Sequence, residues 1–417
     1  MKNGYENDRI VPIANGLRSS WPRIAQPLAY PLYRMGILEL QKQAHEAVAI
    51  QKQKDNQQFL DEVLDTLDFL KWYWQAQGFC NMMNYGQKVT ETPTQNLSRW
   101  KEMTMRQDIN TILQAQTWDL SQVCFDSVPV MQMNLRQIQD ICRSYGFTNF
   151  LTEAKGQAKL AKTAKELGVY TIGVSIAPFT LGNQIEVCSN ATPSCKGNCV
   201  VWYSGNPAYI SGKQNAMTKR KEMLADNPAL FLAVFMRLIQ LKSSYALRHG
   251  LVLSCRFNIS SDIKYEQVQV RFDGEEMSFA ELASDFMSGT WVNAKQDLPV
   301  MPYDYTKHYD RPSNAKYHLV YSVTDNDPDK IQQAIDNGLS LAVVFDTPRN
   351  RDLPNVYQIG KFKLPVIDGD KHDYLPEHSD KQVIVGLRFK YQAKHKAEQR
   401  KKVLDKAILS GFVKIAS

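Results

Sequence analysis

Apolar positions recur along this chain with two different periods. Between 37 and 76 they return every three or four residues, at Leu60, Val63, Leu64, Leu67, Leu70 and Trp74, which is the spacing of one helix face. Trp72, Tyr73 and Trp74 make that helix aromatic, and a core or docking face is the plainer reading than a base-stacking platform. Residues 1–36 hold Pro12, Pro22, Pro27 and Pro31 with Trp21, Tyr30 and Tyr33. Proline at that density blocks regular helix and predicts an extended arm. No period is clear over 80–130, where helical pieces near 98–117 are expected. A helix is predicted over 134–145, with Asn134 as its N-cap and Gly146 as its stop. A basic helix follows over 152–167.

From 170 onward the period changes. Short apolar runs at 170–176, 251–257, 300–305, 316–323, 340–346, 363–368 and 382–388 read as strands. An additional strand at 266–272 ends at the turn Asp273-Gly274. Helices are predicted at 211–248, 278–287 and 328–337. This alternation predicts an α/β fold (α+β overall once the helical N-terminal region is counted) built on a parallel sheet or an incomplete (β/α) barrel. Three parts follow: a helical region with a Pro-rich arm at 1–150, an α/β domain at 151–390 and a basic C-terminal helix at 391–417.

Composition adds little to that architecture but bears on partners. The 417 residues are 43% hydrophobic and 22% charged, ordinary for a globular protein, and carry a net charge of +7. That basic balance suits a nucleic-acid partner. The start, Met1-Lys-Asn-Gly-Tyr-Glu-Asn-Asp, lacks the apolar core of a leader, and the apolar run Ala229 to Met236 is short for a bilayer. A cytoplasmic protein with no membrane partner is expected. In a reducing compartment its seven cysteines read as thiols or metal ligands, not as a disulfide framework.

Three of those cysteines, Cys188, Cys195 and Cys199, share one polar loop after the first strand, in the spacing Cys-x6-Cys-x3-Cys. Thiolates this close along a chain can converge on zinc or an iron–sulfur cluster. Cys255, on the next strand, is the candidate fourth ligand. Free thiols in a structured loop are the competing account. Cys80, Cys124 and Cys142 are scattered and read as buried thiols.

A second constellation is acidic. Asp262, Asp304, Asp346, Asp368, Asp370 and Asp373 each follow a predicted strand, so a parallel sheet would gather them at one rim. Carboxylates so gathered suit Mg2+ or general acid–base work, and Asp262, Asp304, Asp368, Asp370 and His372 are the candidate catalytic residues. Helix capping is the plainer role for any one of them. Cations form the third group. Lys159 and Lys162 on the basic helix, with Arg400, Lys401 and Lys402 in the tail, are candidate nucleic-acid contacts. Lys213, Lys219, Arg220, Lys221, Arg237 and Lys242 on the long helix, with Lys307, His308 and Arg311 after a strand, would suit a phosphate-bearing substrate. No Gly-x4-Gly-Lys-Ser/Thr loop, Gly-x-Gly-x2-Gly turn, His-x-His pair or Gly-x-Ser-x-Gly elbow occurs, which disfavours an ATPase, a dinucleotide enzyme, a rolling-circle nickase and a serine hydrolase.

Residues from about 157 to 391 resemble phage and plasmid proteins grouped around "gene product 88". The resemblance is carried by Ser175-Ile-Ala-Pro178, by Cys188 with Ala191-Thr-Pro-Ser-Cys195-Lys-Gly-Asn-Cys199, by Arg256-Phe-Asn-Ile-Ser-Ser-Asp-Ile263 and by Tyr303-Asp-Tyr-Thr-Lys307. Tyr317-His-Leu-Val-Tyr-Ser322, Ala342-Val-Val-Phe345, Val366-Ile-Asp-Gly-Asp370 and Val383-Ile-Val-Gly-Leu387 complete it. Ser189 and Ile259-Ser260 depart from the pattern, where proline and glycine are expected. The resemblance implies a protein of a mobile genetic element and supplies no reaction. By placement alone, the cysteine loop is also similar to that of radical S-adenosylmethionine enzymes. Two function classes therefore stand. One is a nucleic-acid-associated protein of phage or plasmid replication, for which zinc, an iron–sulfur cluster or Mg2+ is an optional metal. The other is a metalloenzyme on a small-molecule or nucleotide substrate.

Overall fold

The computed structural model describes residues 107–416 apart from 181–184, 200, 202–209, 315, 325–326 and 392–396. The chain divides into two compact units, Met1–Asn96 and Leu97–Ser417. The arm expected at 1–36, the helix at 37–76 and Cys80 lie outside the described residues, as does the first part of the helical stretch near 98–117, of which Ile109–Gln114 is helix.

The second unit is mixed α/β, with several sheets whose strands are mostly parallel. After the short helix Ile109–Gln114 and several two-residue strands comes α1 (Leu135–Ser144). Asn134 accepts from the backbone of Arg136 and Gln137, and the Gln137 side chain accepts from the Asn134 N–H, a reciprocal capping box. Gly146, at φ +83°, ends the turn. Helix α2 (Ala158–Leu167) starts six residues later than the basic pattern suggests, because Ala154–Gly156 forms a short 3-10 turn first.

Strand β1 (Val169–Val174) then pairs in parallel with β2 (Val252–Asn258). Between them run α3 (Ile210–Asp226) and α4 (Pro228–Arg248). The sequence pattern reads these as one helix. They separate because Pro228 cannot continue α3, while Asn227 caps α4 by accepting from the Leu230 N–H. Helix α4 is long and apolar enough to cross a bilayer, but 61% of its apolar window is buried inside the protein itself. Its Leu230, Phe231, Val234 and Phe235 join the main apolar core, to which residues 107–150 also contribute Ile109, Leu120, Ile138 and Ile141. At Gly173 the β1–β2 register shifts, and a Cβ there would stand 2.0 Å from the Arg256 carbonyl oxygen. Only glycine lets the two backbones approach so closely.

A hairpin of β3 (Gln269–Phe272) and β4 (Glu275–Ser278) turns at Asp273 and Gly274, both with positive φ (51° and 88°). That is the mirror-image turn which an Asp-Gly pair favours. Helix α5 (Phe279–Ser288) follows. The largest sheet then runs β5 (Tyr303–Thr306), β6 (His318–Ser322), β7 (Ser340–Phe345), β10 (Ile384–Arg388) and β9 (Phe362–Asp368), all parallel, with β8 (Val356–Ile359) antiparallel at its edge. Helix α6 (Pro328–Asp336) connects β6 to β7. Helix α7 (Ala397–Leu409) leads to β11 (Val413–Lys414), which pairs with β7 where β6 has ended.

Strand β2 lies beside β5 without a shared ladder among the described residues. The Asn258 N–H donates instead to the Asp304 carboxylate at 2.8 Å, and Ser254 Oγ donates to the Met301 carbonyl at 2.8 Å. A second apolar cluster draws on both ladders: Val169 from β1, Val252 from β2, Tyr303 from β5, Val320 from β6, Ala342 from β7 and Val385 from β10. Tyr374 and Leu375, in the connection from β9 to β10, complete it. The chain's own crossover thus fills the face that the helices leave uncovered. The parallel strands all end on one rim, where the cysteine loop and the aspartates lie.

Candidate functional site at the strand ends

The cysteine loop leaves β1 and packs on the ends of β2 and β5. Cys188 donates its N–H to Glu186 Oε1 (2.8 Å), and its Sγ lies 3.9 Å from the Ser260 carbonyl oxygen. Thr192 caps the helical turn Pro193–Gly197 by accepting the Cys195 N–H (3.1 Å). Burial, with smaller contributions from Asp262 and Cys195, raises the Cys188 thiol well above its ordinary value. Burial pushes Cys199 up to about 11, again with Cys195 adding to the effect. Cys195 thus lies near both of the other loop thiols. Even so, no three His, Cys, Asp or Glu side chains among the described residues converge closely enough to hold a metal ion. The donor chemistry suits zinc or iron–sulfur, while the placement of the thiols does not form a closed ligand set.

Cys255 stands apart from the loop. Strand β2 alternates its sides: Leu253, Cys255 and Phe257 enter the main core, whereas Ser254 and Arg256 face the strands and crossover opposite. Cys255 is fully buried, and burial raises its thiol well above the ordinary value. Cys142 is buried as expected, whereas Cys124 is exposed.

The aspartates of the rim are brought together in two groups, and each is engaged. Asp262 is 4% exposed and accepts from Thr306 Oγ1 (2.8 Å), from the Lys307 backbone N–H (2.6 Å) and from Arg311 (3.1 Å). Arg311, itself fully buried, also grips Glu266 with two contacts of 2.8 Å. Asp304 has no solvent exposure. It holds Asn258 through both its backbone N–H (2.8 Å) and its Nδ2 (3.0 Å), and it accepts the Tyr317 hydroxyl. Burial, opposed by those donors, raises its carboxyl to about 7.

At the ends of β9 and β10, Arg388 donates to both oxygens of Asp368 at 2.9 Å. Asp370 accepts the Arg388 backbone N–H (2.9 Å) and sits 3.5–3.6 Å from Lys390 and Lys159. His372 pairs with Glu377 at 2.7 Å rather than with either aspartate. Asp373 in the crossover holds Arg256 at 2.8 Å, and the Arg256 guanidinium lies over the Tyr305 ring.

Of the long-helix cations, Lys213 is exposed and Lys219 pairs with Glu222 near the surface, while the other four act inside the protein. Arg220 donates to the carbonyls of Asn149 and Ser175, Lys221 to that of Phe179, Arg237 to that of Met133, and Lys242 pairs with Glu153. Lys221 is fully buried, and desolvation lowers its ammonium to about 8. Among the candidate nucleic-acid cations, Lys159 is only 26% exposed and donates to the Gly369 carbonyl (2.8 Å), while Lys162 is exposed opposite Glu166. Arg400, Lys401 and Lys402 are exposed on α7.

Sequence reasoning passed over one feature of the rim. A cavity of about 210 Å³ opens between the cysteine loop and the ends of β5 and β6, lined in part by Thr192, Lys307, Thr324 and Lys330. Most of its residues are hydroxyl-bearing or basic, and Lys307 and Thr324 sit just after strands, a signal available in the sequence beside the cysteines that overshadowed it.

The comparison with family models matches "Gene product 88" over residues 150–406. No curated protein and no solved structure matches the chain. The matched span takes in every strand of the two ladders from β1 to β10 and the whole rim just described, so the chain belongs to the gene product 88 family.

Proposed function

We propose that this protein is a nucleic-acid-associated protein of a mobile genetic element, acting in replication of that element inside the host cytoplasm. The observation that carries the reading is where solvent-facing positive charge lies. The rim cations are paired with Asp262, Glu266, Asp368, Asp370 and Asp373. Helix α7 turns Lys401, Lys402 and Lys406 to solvent, beside Arg400, which lies over the Tyr391 ring, and Glu398 and Asp405 are its own acids. A stretch of exposed cations suits a phosphate backbone, whose binding is driven by counterion release. We read the two parallel ladders as one incomplete barrel, supported by the apolar cluster they share.

The test is fluorescence anisotropy with labelled single-stranded and duplex DNA over a salt series. Replacing Lys401 and Lys402 by Ala should weaken binding about tenfold at low salt and lower the salt slope by roughly 2, at about 0.9 per phosphate contact on duplex. Binding by the parent protein that is absent, or untouched by the replacements, would refute the reading.

One observation favours a second reading, an iron–sulfur or zinc enzyme: Cys195 lies near both Cys188 and Cys199. No step is derived through such a group, because the thiols do not form a closed ligand set. Metal analysis of anaerobically purified protein, with and without Cys195→Ala, decides it. Stoichiometric metal lost in the variant supports this reading, and metal-free protein removes it.

A further inference from the structure

We infer that the cavity between the cysteine loop and the ends of β5 and β6 is a binding site for a phosphate monoester. This goes beyond the nucleic-acid reading and does not depend on α7.

The cavity, of about 210 Å³, is large enough for a phosphate group with part of the sugar or chain that carries it. Its nine lining residues include no carboxylate. Two of them, Lys307 and Lys330, carry ammonium groups, and Ser189, Thr192, Thr324, Tyr309 and Tyr321 carry hydroxyls. A dianion needs several converging donors, and this wall supplies two ammonium groups and five hydroxyls.

The wall is built rather than incidental. Lys307 is anchored by donation to the Ser322 carbonyl (2.6 Å), which fixes its stem along the end of β6. Thr324, 3% exposed, faces Thr192 with their hydroxyl oxygens 3.2 Å apart. The same Thr192 caps the turn that carries Cys195, so the cavity wall and the thiol loop share one anchor. Lys330, in the first turn of α6, lines the cavity and pairs with Asp327 at 3.1 Å. Tyr309 and Tyr321 meet edge to face at 6.3 Å, giving an aromatic side against which the organic part of a phosphate ester can lie. The position, outside the carboxyl ends of parallel strands, is where such sheets bind ligands.

The probe is inorganic phosphate, titrated calorimetrically into the full-length protein against a chloride control of equal ionic strength. Saturable binding is expected, weakened about tenfold by Lys330→Met and severalfold by Thr324→Val, as loss of one charged or one neutral hydrogen bond implies. Lys307→Met could disturb β6 through Ser322, so the other two variants decide the matter, each checked for an unchanged melting temperature. The Lys401→Ala, Lys402→Ala protein must keep full phosphate affinity, which separates this site from the α7 surface. No saturable binding, or binding that both variants leave unchanged, would overturn the assignment. A nucleoside 5′-monophosphate and a 5′-phosphorylated trinucleotide then identify the source. Whichever binds tighter than inorganic phosphate, and loses that advantage in Lys330→Met, names the natural carrier. A nucleoside without phosphate that binds as tightly as its 5′-monophosphate would sink the proposal.

Discussion

Two pairs of aspartates belong to the strand ladders, yet the protein treats them oppositely. Asp262, in the loop after β2, and Asp304, inside β5, are sealed from solvent and meet a fully buried arginine, a tyrosine hydroxyl and backbone donors. Asp368 and Asp370, at the end of β9, are 42% and 22% exposed and face Arg388, Lys390 and Lys159 across partly wetted pairs. The difference is dielectric. Charges in the first group have no water to fall back on, so each partner matters by several kcal/mol. Charges in the second are screened, and each pair contributes tenths to about 1 kcal/mol. In both groups the carboxylates are engaged by cations or hydrogen-bond donors. The first serves as a joint between two ladders, and the second as a clasp over the β9–β10 crossover.

The sharpest break in that comparison is Arg311→Met. It leaves Asp262 and Glu266 facing each other with no cation between them. Loss of about 3–5 kcal/mol is expected, the cost of stranding a buried charge, measured by urea unfolding. A loss below about 1 kcal/mol would mean that solvent reaches this joint and that the contrast with β9 is false.

The second break uses pH. Asp304 has its carboxyl raised by burial from 3.8 to about 7. The folded protein therefore holds this proton where the unfolded chain has lost it. The stability from that proton is fully present below about pH 4 and is lost as pH rises through 7. A shift of this size corresponds to at most about 4 kcal/mol, at 1.4 kcal/mol per pH unit. In Asp304→Asn the difference in unfolding free energy between pH 4 and pH 7.5 should become less negative than in the parent. Parallel pH profiles for the two proteins would show that the carboxylate is ionised in place.

Much of the fold was legible before these pairings were visible. The seven main strands fall within a few residues of the apolar runs that predict them, because each run is bounded by turn residues and all but the half-exposed β9 are largely buried. Strand β8 was missed because it is a half-exposed edge of only four residues, too short for its apolar Val356, Tyr357 and Ile359 to stand out as a run. The break at Asn227-Pro228 was present in the sequence but was outweighed by the continuous apolar period on either side. The site was less legible. Position after a strand placed Asp262 beyond β2, whereas Asp304 lies inside β5, and the partners of neither could be read. Arg311 lies 49 residues from Asp262, and Arg256 lies 117 from Asp373. Whether an acidic rim is catalytic or already neutralised depends on such distant partners, which no local period encodes.

A smaller effect tests the wetted side of the comparison. Asp368→Asn removes the charge that Arg388 holds at 2.9 Å, but Arg388 keeps Asp370 at 3.6 Å and donates to the Arg351 carbonyl. The expected loss is about 0.5–1 kcal/mol, and it should shrink further in 1 M salt, where the screening length falls to about 3 Å. A salt-independent loss of several kcal/mol would place this cluster with the buried one.

The smallest change separates two lysines of α2 that sequence alone groups together. Lys162 is 46% exposed and stands 3.8 Å from Glu166, one turn along the same helix. Lys162→Ala should move the urea midpoint by no more than about 0.5 kcal/mol. Lys159 is 26% exposed, donates to the Gly369 carbonyl at 2.8 Å and lies beside Asp370, and burial lowers its ammonium below the ordinary value. Lys159→Met should therefore cost more, about 1 kcal/mol. The two should reverse in DNA titrations if α2 joins α7 in holding the backbone. An exposed cation with a weak local partner can transfer to phosphate, so loss of Lys162 should lower the salt slope by about 0.9, whereas loss of Lys159 should leave it unchanged. Equal slopes for both variants and the parent would confine nucleic-acid contact to α7.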